Sequence, residues 1–366
     1  MSTPLTGGAG QPLHLRAVLL PDDVERELWV DAHGRFSLEE VPGATTVADG
    51  GFAVPGLVDA HCHVGLGADG AVPDDVAEAQ ARTDRDAGVL LIRDAGSAAD
   101  TRWIDERVDL PVIVRAGRHL ARTRRYLRNY GHEIEPEQLP DYAEAQARLG
   151  DGWVKLVGDW IDRDVGDLAP CWPADALRET IPRAHAAGAR VTAHVFGEDA
   201  LPDLLDAGID CIEHGTGLDD DLLATMAERG VALVPTLVNI DTFPKIAAQA
   251  ERFPRYARHM LALHAGSRDV VRRAHEAGVA VYAGTDAGGS LAHGLIASEV
   301  AALHEAGLPA VDALAAASWR AREWLARPGV EAGAPADLVV YDTDPRVDVG
   351  VLAVPARIVL RGRVVR

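Results

Sequence analysis

The sequence predicts an α/β protein: a distorted (β/α)8 TIM barrel carrying a small β-sandwich domain built from both chain termini. Three observations predict it. Over residues 56–329, eight short β-branched runs alternate with longer stretches of helical periodicity, the pattern of parallel strands joined by crossover helices. Strand-like patterns without long helices recur only in residues 1–55 and 330–366. The chain of 366 residues also fits the sum, since one barrel takes about 250 residues and leaves roughly a hundred for a satellite.

The eight runs are, in order, GLVDAH (56–61), VLLIRD (89–94), VIVRA (112–116), WVKLV (153–157), RVTAH (190–194), DCIEH (210–214), ALVPT (232–236) and AVYAGTD (280–286). Between them lie helical patterns such as PADALRETIPRAHAAG (173–188) and DDDLLATMAERG (219–230), each closed by a glycine, a common helix stop. Near the N-terminus, LHLRAVLL, DAHGRFS and GATTVADGG read as short strands with turns; near the C-terminus, ADLVVYD and ARIVLRGRVV read alike. Neither end holds enough apolar surface for its own core, so the two are expected to pair. A helix over PAVDALAAASWRAREWLA (309–326) is expected to join the barrel to the final strands. There is no repeat of solenoid length beyond the strand–helix alternation.

Composition narrows the function classes. Apolar residues make up 48% of the chain, and 36 basic residues face 56 acidic ones for a net charge of −20. A nucleic-acid partner, which calls for a basic face, is excluded. No apolar run approaches the roughly 18 residues of a membrane span. The first twenty residues lack a basic segment followed by a long apolar one, so no signal peptide is expected. The three cysteines, Cys62, Cys171 and Cys211, show no metal or redox spacing. A cytoplasmic globular protein without disulfides is expected, acting on a small molecule; a homo-oligomer is compatible with this. Only two of the basic residues are lysines, Lys155 and Lys245.

The chemistry sits at strand ends. The first run closes on His61-Cys62-His63, and residues two apart share a face of a strand. Run five ends in His194, run six in His214 and run eight in Asp286, while Lys155 lies inside run four. Barrel enzymes build their sites at these C-terminal strand ends. One histidine at a strand end is more often a hydrogen-bonded structural residue than a ligand. Four of them, joined by a carboxylate at equivalent ends, point instead to a metal, and imidazole with carboxylate suits zinc or a similar divalent ion. His14, His33, His185 and His275 fall on solvated faces, and Cys62 and Cys211 read as small core residues.

Several of these segments together resemble a known family. PGLVDAHCH (55–63), VKL (154–156), TAHVFG (192–197), IEHG (212–215), GTDAG (284–288) and GAPADLVVYDTDP (333–345) are similar to motifs of the amidohydrolase superfamily, in its imidazolonepropionase-like and prolidase-like group. The resemblance runs from about Val30 to Val365, and the composite pattern is specific where any one fragment is weak. It implies two divalent metal ions, zinc being the best match. His61, His63 and Asp286 would hold the first, and His194 and His214 the second. Lys155, carboxylated by CO2, would bridge them through its carbamate. Carbamate formation needs a neutral amine, which burial promotes and arginine cannot supply. By the same resemblance a metal-bridging hydroxide attacks a carbonyl, and Asp286 carries its proton to the leaving group. An amide-type C–N bond is the expected target, in a dipeptide or an N-acyl amino acid. The alternatives are a mononuclear deaminase or imidazolone-type cyclic amide hydrolase, with Glu198 as proton shuttle, and a lactone, ester or phosphotriester hydrolase. A non-catalytic scaffold would have lost ligands, and none is missing.

Two loops depart from the family pattern. Where relatives often carry a T-G-G-H-like segment after the third strand, this chain is read as Thr123-Arg124-Arg125-Tyr126, with Tyr126 in place of the histidine. After the fourth strand, GDWIDRD (158–164) replaces the usual Gly-Gly. The stretch RAGRHLARTRRYLR (115–128) holds six arginines and no acid. Guanidinium forks match carboxylates, so an anionic substrate group is expected there, although a solvated basic helix explains the run equally well. The expected substrate contacts are Arg118, Arg122, Tyr126, Trp160 and His293, with Arg124 and Arg125 as neighbours.

Overall fold

The computed structural model describes residues 10–366. Residues 1–9, part of the expected composite domain and of the N-terminal stretch read against a leader, lie outside the described residues. The N-terminal strands are β1 (Leu13–Leu19), β2 (Val24–Val30), β3 (Phe36–Ser37) and β4 (Thr45–Pro55). β1 alternates buried and half-buried residues along its length, so one face packs and the other meets solvent.

The body of the chain begins with β5 (Leu57–Gly67), buried from Leu57 through Leu66, and a short return strand β6 (Gly70–Ala71). Then come β7 (Val89–Asp94), β8 (Val112–Arg115), β9 (Leu120–Arg122), β10 (His132–Ile134) and β11 (Trp153–Val157). A hairpin, β12 (Asp159–Asp162) with β13 (Asp167–Pro170), stands where the sequence suggested a loop. It is followed by β14 (Arg190–Val195), β15 (Cys211–His214), β16 (Ala232–Val234) and β17 (Ala287–Gly289).

These strands form two sheets whose long pairings are parallel. One runs β17-β5-β7-β8, and the other β10-β9-β11-β14-β15-β16. The residues between β16 and β17 tie the two together: Leu233 N donates to Ala280 O (2.9 Å), Tyr282 N to Leu233 O (2.9 Å) and Ala60 N to Ala283 O (2.8 Å). The expected eighth strand is therefore not continuous, and only Val281 keeps an isolated bridge, to Leu233. Gly284 lets this segment pass close to β5, because a Cβ there would come within 2.6 Å of the His61 Cβ. The seventh run stops early at Val234, since Pro235 has no N–H to donate and Thr236 turns to φ 50°.

Helices cover the sheets with the expected spacing. Ala174–Ala186 buries Leu177, Thr180, Ile181 and Ala184, one stripe of a 3.6-residue period. Asp220–Arg229 starts at Asp219, whose side chain accepts from Leu222 N, and ends at Gly230 with φ 68°. The expected single helix over 309–326 divides into Ala310–Ala316 and Trp319–Trp324. Ser318 makes the break, its Oγ donating to Pro55 O (2.7 Å), while Ala317 O accepts Val58 N (2.7 Å). Among the described residues no helix is long and apolar enough to cross a membrane.

The chain then returns as β18 (Leu338–Tyr341), β19 (Arg357–Leu360) and β20 (Arg363–Val364). β18 pairs antiparallel with β4, so the two ends do join, in the order β20-β19-β18-β4-β1-β2-β3. Among the described residues this is one seven-stranded sheet, where two stacked sheets were expected. Register shifts between His14/Leu15 and Arg16/Val18 bend it. Its inward side chains, including Leu15, Val30, Phe36, Leu338 and Val359, pack on one another as a separate core.

Candidate active site

Parallel strands ending at one level deliver their last side chains to one place. β5 places His61 Nε2 3.2 Å from His63 Nε2. The turn before β17 brings in Asp286, whose Oδ1 lies 2.9 Å from His63 Nε2 and 3.2 Å from His61 Nε2. β14 and β15 contribute His194 and His214, with His194 Nδ1 2.9 Å from His214 Nε2. The ring centroids of His61 and His214 are 5.2 Å apart, and donor atoms of His61, His214 and Asp286 all lie within 4.8 Å of one another. Lys155 projects from the middle of β11 and is 1% exposed.

The surroundings fix how these groups present themselves. His63 Nδ1–H donates to Gly96 O (2.6 Å), which turns its Nε2 toward Asp286 and His61. His61 Nδ1 is held by Glu213 Oε2 (2.7 Å) and His214 Nδ1 by Thr236 Oγ1 (2.7 Å). Glu213 is fully buried, accepting from Arg93 Nη2 at 2.6 Å and from the Thr192 hydroxyl. Arg93 is itself buried, its guanidinium over the rings of Trp153 (4.6 Å) and Trp324 (4.9 Å). Burial pushes the Lys155 amine down from its ordinary value, and pushes His194 and His214 well down, toward the neutral forms that bind metals. Burial works against the charge on Asp286, yet the His61 and His63 imidazoles hold its carboxyl well below the usual range.

Whether a metal suits this place can be tested on the unmet groups. Lys155 Nζ and His194 Nε2 are buried with no hydrogen-bond partner. An unmet buried polar group costs about 1–3 kcal/mol, and two on the paired strands β11 and β14 mark a place for a ligand they would complete. The donor set of imidazole nitrogen and carboxylate oxygen fits a divalent transition metal.

The other expected contacts divide. Tyr126 packs on Trp160 (4.8 Å between centroids), and both lie against His194, at 5.8 and 5.3 Å. Arg122 is half-buried, and its guanidinium makes no hydrogen bond among the described residues. Arg118 is turned to Tyr130 O (3.0 Å) and Asn129 O (3.3 Å), bracing its own loop. Arg125 binds Asp162 Oδ2 (2.7 Å), Trp160 O (2.9 Å) and Ala169 O (2.8 Å), so it ties the β12–β13 hairpin down. His293 stands on the far face of β5, its Nδ1 on Asp84 Oδ2 (2.8 Å) and 3.6 Å from Cys62 Sγ.

Two site residues escaped the sequence reading. His119 is fully buried and neither ring nitrogen has a partner. Its ring lies 5.1 Å from His63 on one side and 5.3 Å from Tyr126 on the other. Placing Tyr126 in the expected histidine's position passed over it, although Gly117-Arg118-His119 directly follows a strand end. Glu213 left no signal, because strand alternation points it away from His214. The alternation fails at His214, where φ is 68°, and both side chains turn inward.

Comparison with known proteins agrees with this architecture. The chain is 59% identical over 352 residues to the uncharacterized proteins Rv2915c of Mycobacterium tuberculosis and Mb2939c of Mycobacterium bovis, covering 96% of this chain and 95% of each relative. A Xaa-Pro dipeptidase with bound methionine in its active site superposes with a TM-score of 0.80 at 22% identity, over 97% of this chain and 99% of the other. Ochratoxinase of A. niger does so at 0.79 and 18% identity, over 97% and 96%. The α/β fold is thus shared with hydrolases. The model of the amidohydrolase family matches residues 52–365, and the chain belongs to that family.

Proposed function

We propose that the protein is a metal-dependent amidohydrolase that hydrolyses an amide-type C–N bond in a small molecule, a dipeptide or an N-acyl amino acid. The observation that carries this is the convergence of His61, His63, His194, His214 and Asp286 around a buried Lys155 whose amine has no partner. Residues 56–329 would form the catalytic barrel, closed through the segment that ties β16 to β5. Residues 1–55 and 330–366 would form its composite β-domain. His61, His63 and Asp286 would hold one divalent ion, His194 and His214 a second, with Lys155 carboxylated to join them. Two such ions, zinc by donor type, supply Lewis acidity to a carbonyl and acidify a water near neutral pH.

The chain's own residues then have distinct tasks. Asp286, kept ionised beside two imidazoles, accepts the proton of the attacking water and returns it to the leaving nitrogen. Glu213 and Gly96 O hold His61 and His63 in fixed tautomers. His119, pushed well down by burial and the neighbouring cationic groups, presents a neutral N–H to the substrate oxygen. Tyr126 and Trp160 shield the mouth from water, and Arg122 is the remaining candidate for a substrate carboxylate. The Xaa-Pro dipeptidase and ochratoxinase likenesses support a peptide-like amide. The one-metal alternative loses support, because Glu198 is bound to His259 (3.0 Å) and more than half exposed.

Metal analysis with a substrate screen tests this. Zinc-supplied protein is expected to carry about two equivalents per chain and to hydrolyse dipeptides or N-acyl amino acids. One equivalent with full activity removes the two-metal reading. Turnover confined to lactones or other esters removes the amide reading, and turnover confined to imidazolones removes the dipeptide and N-acyl amino acid targets.

A further inference from the structure

The two oxygens of Asp286 do not share an environment. Oδ1 faces His61 and His63, whereas Oδ2 accepts a hydrogen bond from Asn239 Nδ2 at 2.7 Å. Only the amide nitrogen of Asn239 can donate to a carboxylate, which fixes the side chain's orientation. Asn239 is half-buried on the short helix Leu237–Ile240, which starts directly after Thr236. Thr236 has φ 50° and holds His214 Nδ1, so the four residues 236–239 grip two of the expected metal ligands at once. The grip is pinned from behind. Leu237 N and Val238 N donate to the two oxygens of Glu299, each at 2.9 Å, and Glu299 is fully buried on the helix Ile296–Glu305.

We infer that Asn239 is a positioning residue that divides the labour of Asp286, keeping Oδ1 toward the metal side and reserving Oδ2 as the proton-carrying oxygen. The inference rests on the role given to Asp286 above. A carboxylate free to turn can present both oxygens to cations and leave neither basic enough to accept a proton. An amide N–H on Oδ2 holds it off. When Oδ2 takes a proton from water, the O–H bond of water breaks and its oxygen bonds to the carbonyl carbon. When that proton is delivered, the C–N bond breaks and an N–H bond forms on the leaving amine. The products are one carboxylic acid and one amine, which become carboxylate and ammonium when the acid's proton moves to the amine, with nothing oxidised or reduced. Asn239 suits this task, because its amide donates to one lone pair of Oδ2 and leaves the other free to take the proton.

The experiment compares wild type with Asn239→Ala and with Asn239→Asp, which keeps the size and replaces the donor. Each is measured for metal content, for kcat and KM on an alkyl amide substrate, and on an activated ester of the same acyl group. The ester's leaving group departs without a proton. The expected result is unchanged metal content, a KM within about threefold, and a kcat for the amide lower by roughly ten- to a hundredfold, below the full general-acid range. Both substrates need Oδ2 to take the proton from water and only the amide needs it returned, so the ester rate should fall too, but by clearly less than the amide rate. Equal losses on amide and ester, or loss of metal, would overturn the inference and leave Asn239 a structural prop. Crystal structures of the metal-loaded proteins give a readout independent of turnover. Asp286 should bind metal through Oδ1 alone in wild type and turn toward two-oxygen contact in Asn239→Ala; an unmoved carboxylate overturns the inference. If wild type hydrolyses no amide, the proposed function fails by itself, and the crystallographic comparison still decides the role of Asn239.

Discussion

Lys155 spends a buried position in the middle of a strand on an amine that bonds to nothing among the described residues. In a chain with 34 arginines among its 36 basic residues, that position calls for what arginine lacks, a nitrogen that can lose its proton and react with CO2. Lys155→Arg is therefore expected to fold, to lose metal and to abolish activity, and labelled bicarbonate should give a carbamate NMR signal only in the wild type. Wild-type turnover by the variant would end the bridging role. Asp286→Asn separates ligation from proton transfer, because an amide oxygen reaches a metal and accepts no proton. Metal should be largely retained and kcat should drop by about 10²–10⁴; rescue by added zinc would reduce Asp286 to a ligand. The four histidines and Asp286 were legible because each closes an apolar run, and a strand end has few reasons to be polar. Glu213, Thr236 and Asn239 were not, since each depends on a positive φ at His214, Thr236 or Asp286 that no residue type announces.

At the scale of elements, the arginine-rich stretch shows how composition misleads when partners are unknown. Six arginines without an acid read as an anion site, yet the partners come from elsewhere in the chain. Arg115 pairs with Asp105 and Asp151, and Arg125 with Asp162, while Arg118 binds backbone carbonyls. Arg125 acts on the site through the β12–β13 hairpin, which carries Trp160. Arg125→Ala should loosen that hairpin, lowering Tm and reducing kcat/KM alike for free-acid and amidated substrates. Arg122→Ala should instead raise KM for free acids by about ten- to a hundredfold, the range of a lost charge-assisted hydrogen bond, and leave amidated substrates untouched. Identical behaviour of the two variants would mean that neither meets a substrate charge. The regular strands and helices were legible from periodicity. The hairpin was hidden because Asp159, Asp162 and Asp167 carry loop chemistry within a paired segment.

For the whole molecule, a net charge of −20 hides a set of acids kept from water. Burial pushes the carboxyls of Asp59 and Asp159 up to about 7 and that of Glu299 up to about 8. Such groups hold a proton in the native state over a range where the unfolded chain has released it. Stability then falls as pH rises, by at most about 1.4 kcal/mol per unit for each group. The pairing of the two chain ends, by contrast, was legible from their apolar content, while the single bent sheet came from bulges in β1 that sequence does not mark. Glu299 offers the cleanest test of the buried acids, since it touches none of the expected metal ligands and lies behind the Thr236–Asn239 segment. A glutamine side chain does not titrate, and its NH2 group leaves one of the Leu237 and Val238 N–H groups without an acceptor, so Glu299→Gln should lower Tm by a fixed amount already present near pH 5. Between the unfolded value near 4.5 and about 8, wild type loses stability that the variant does not. The difference in Tm, variant minus wild type, should therefore climb through that window and level off above it, as thermal melts across pH 5–9 would record. A difference that moves the other way would show that the Leu237 and Val238 N–H groups, rather than burial, govern Glu299 and keep it ionised throughout.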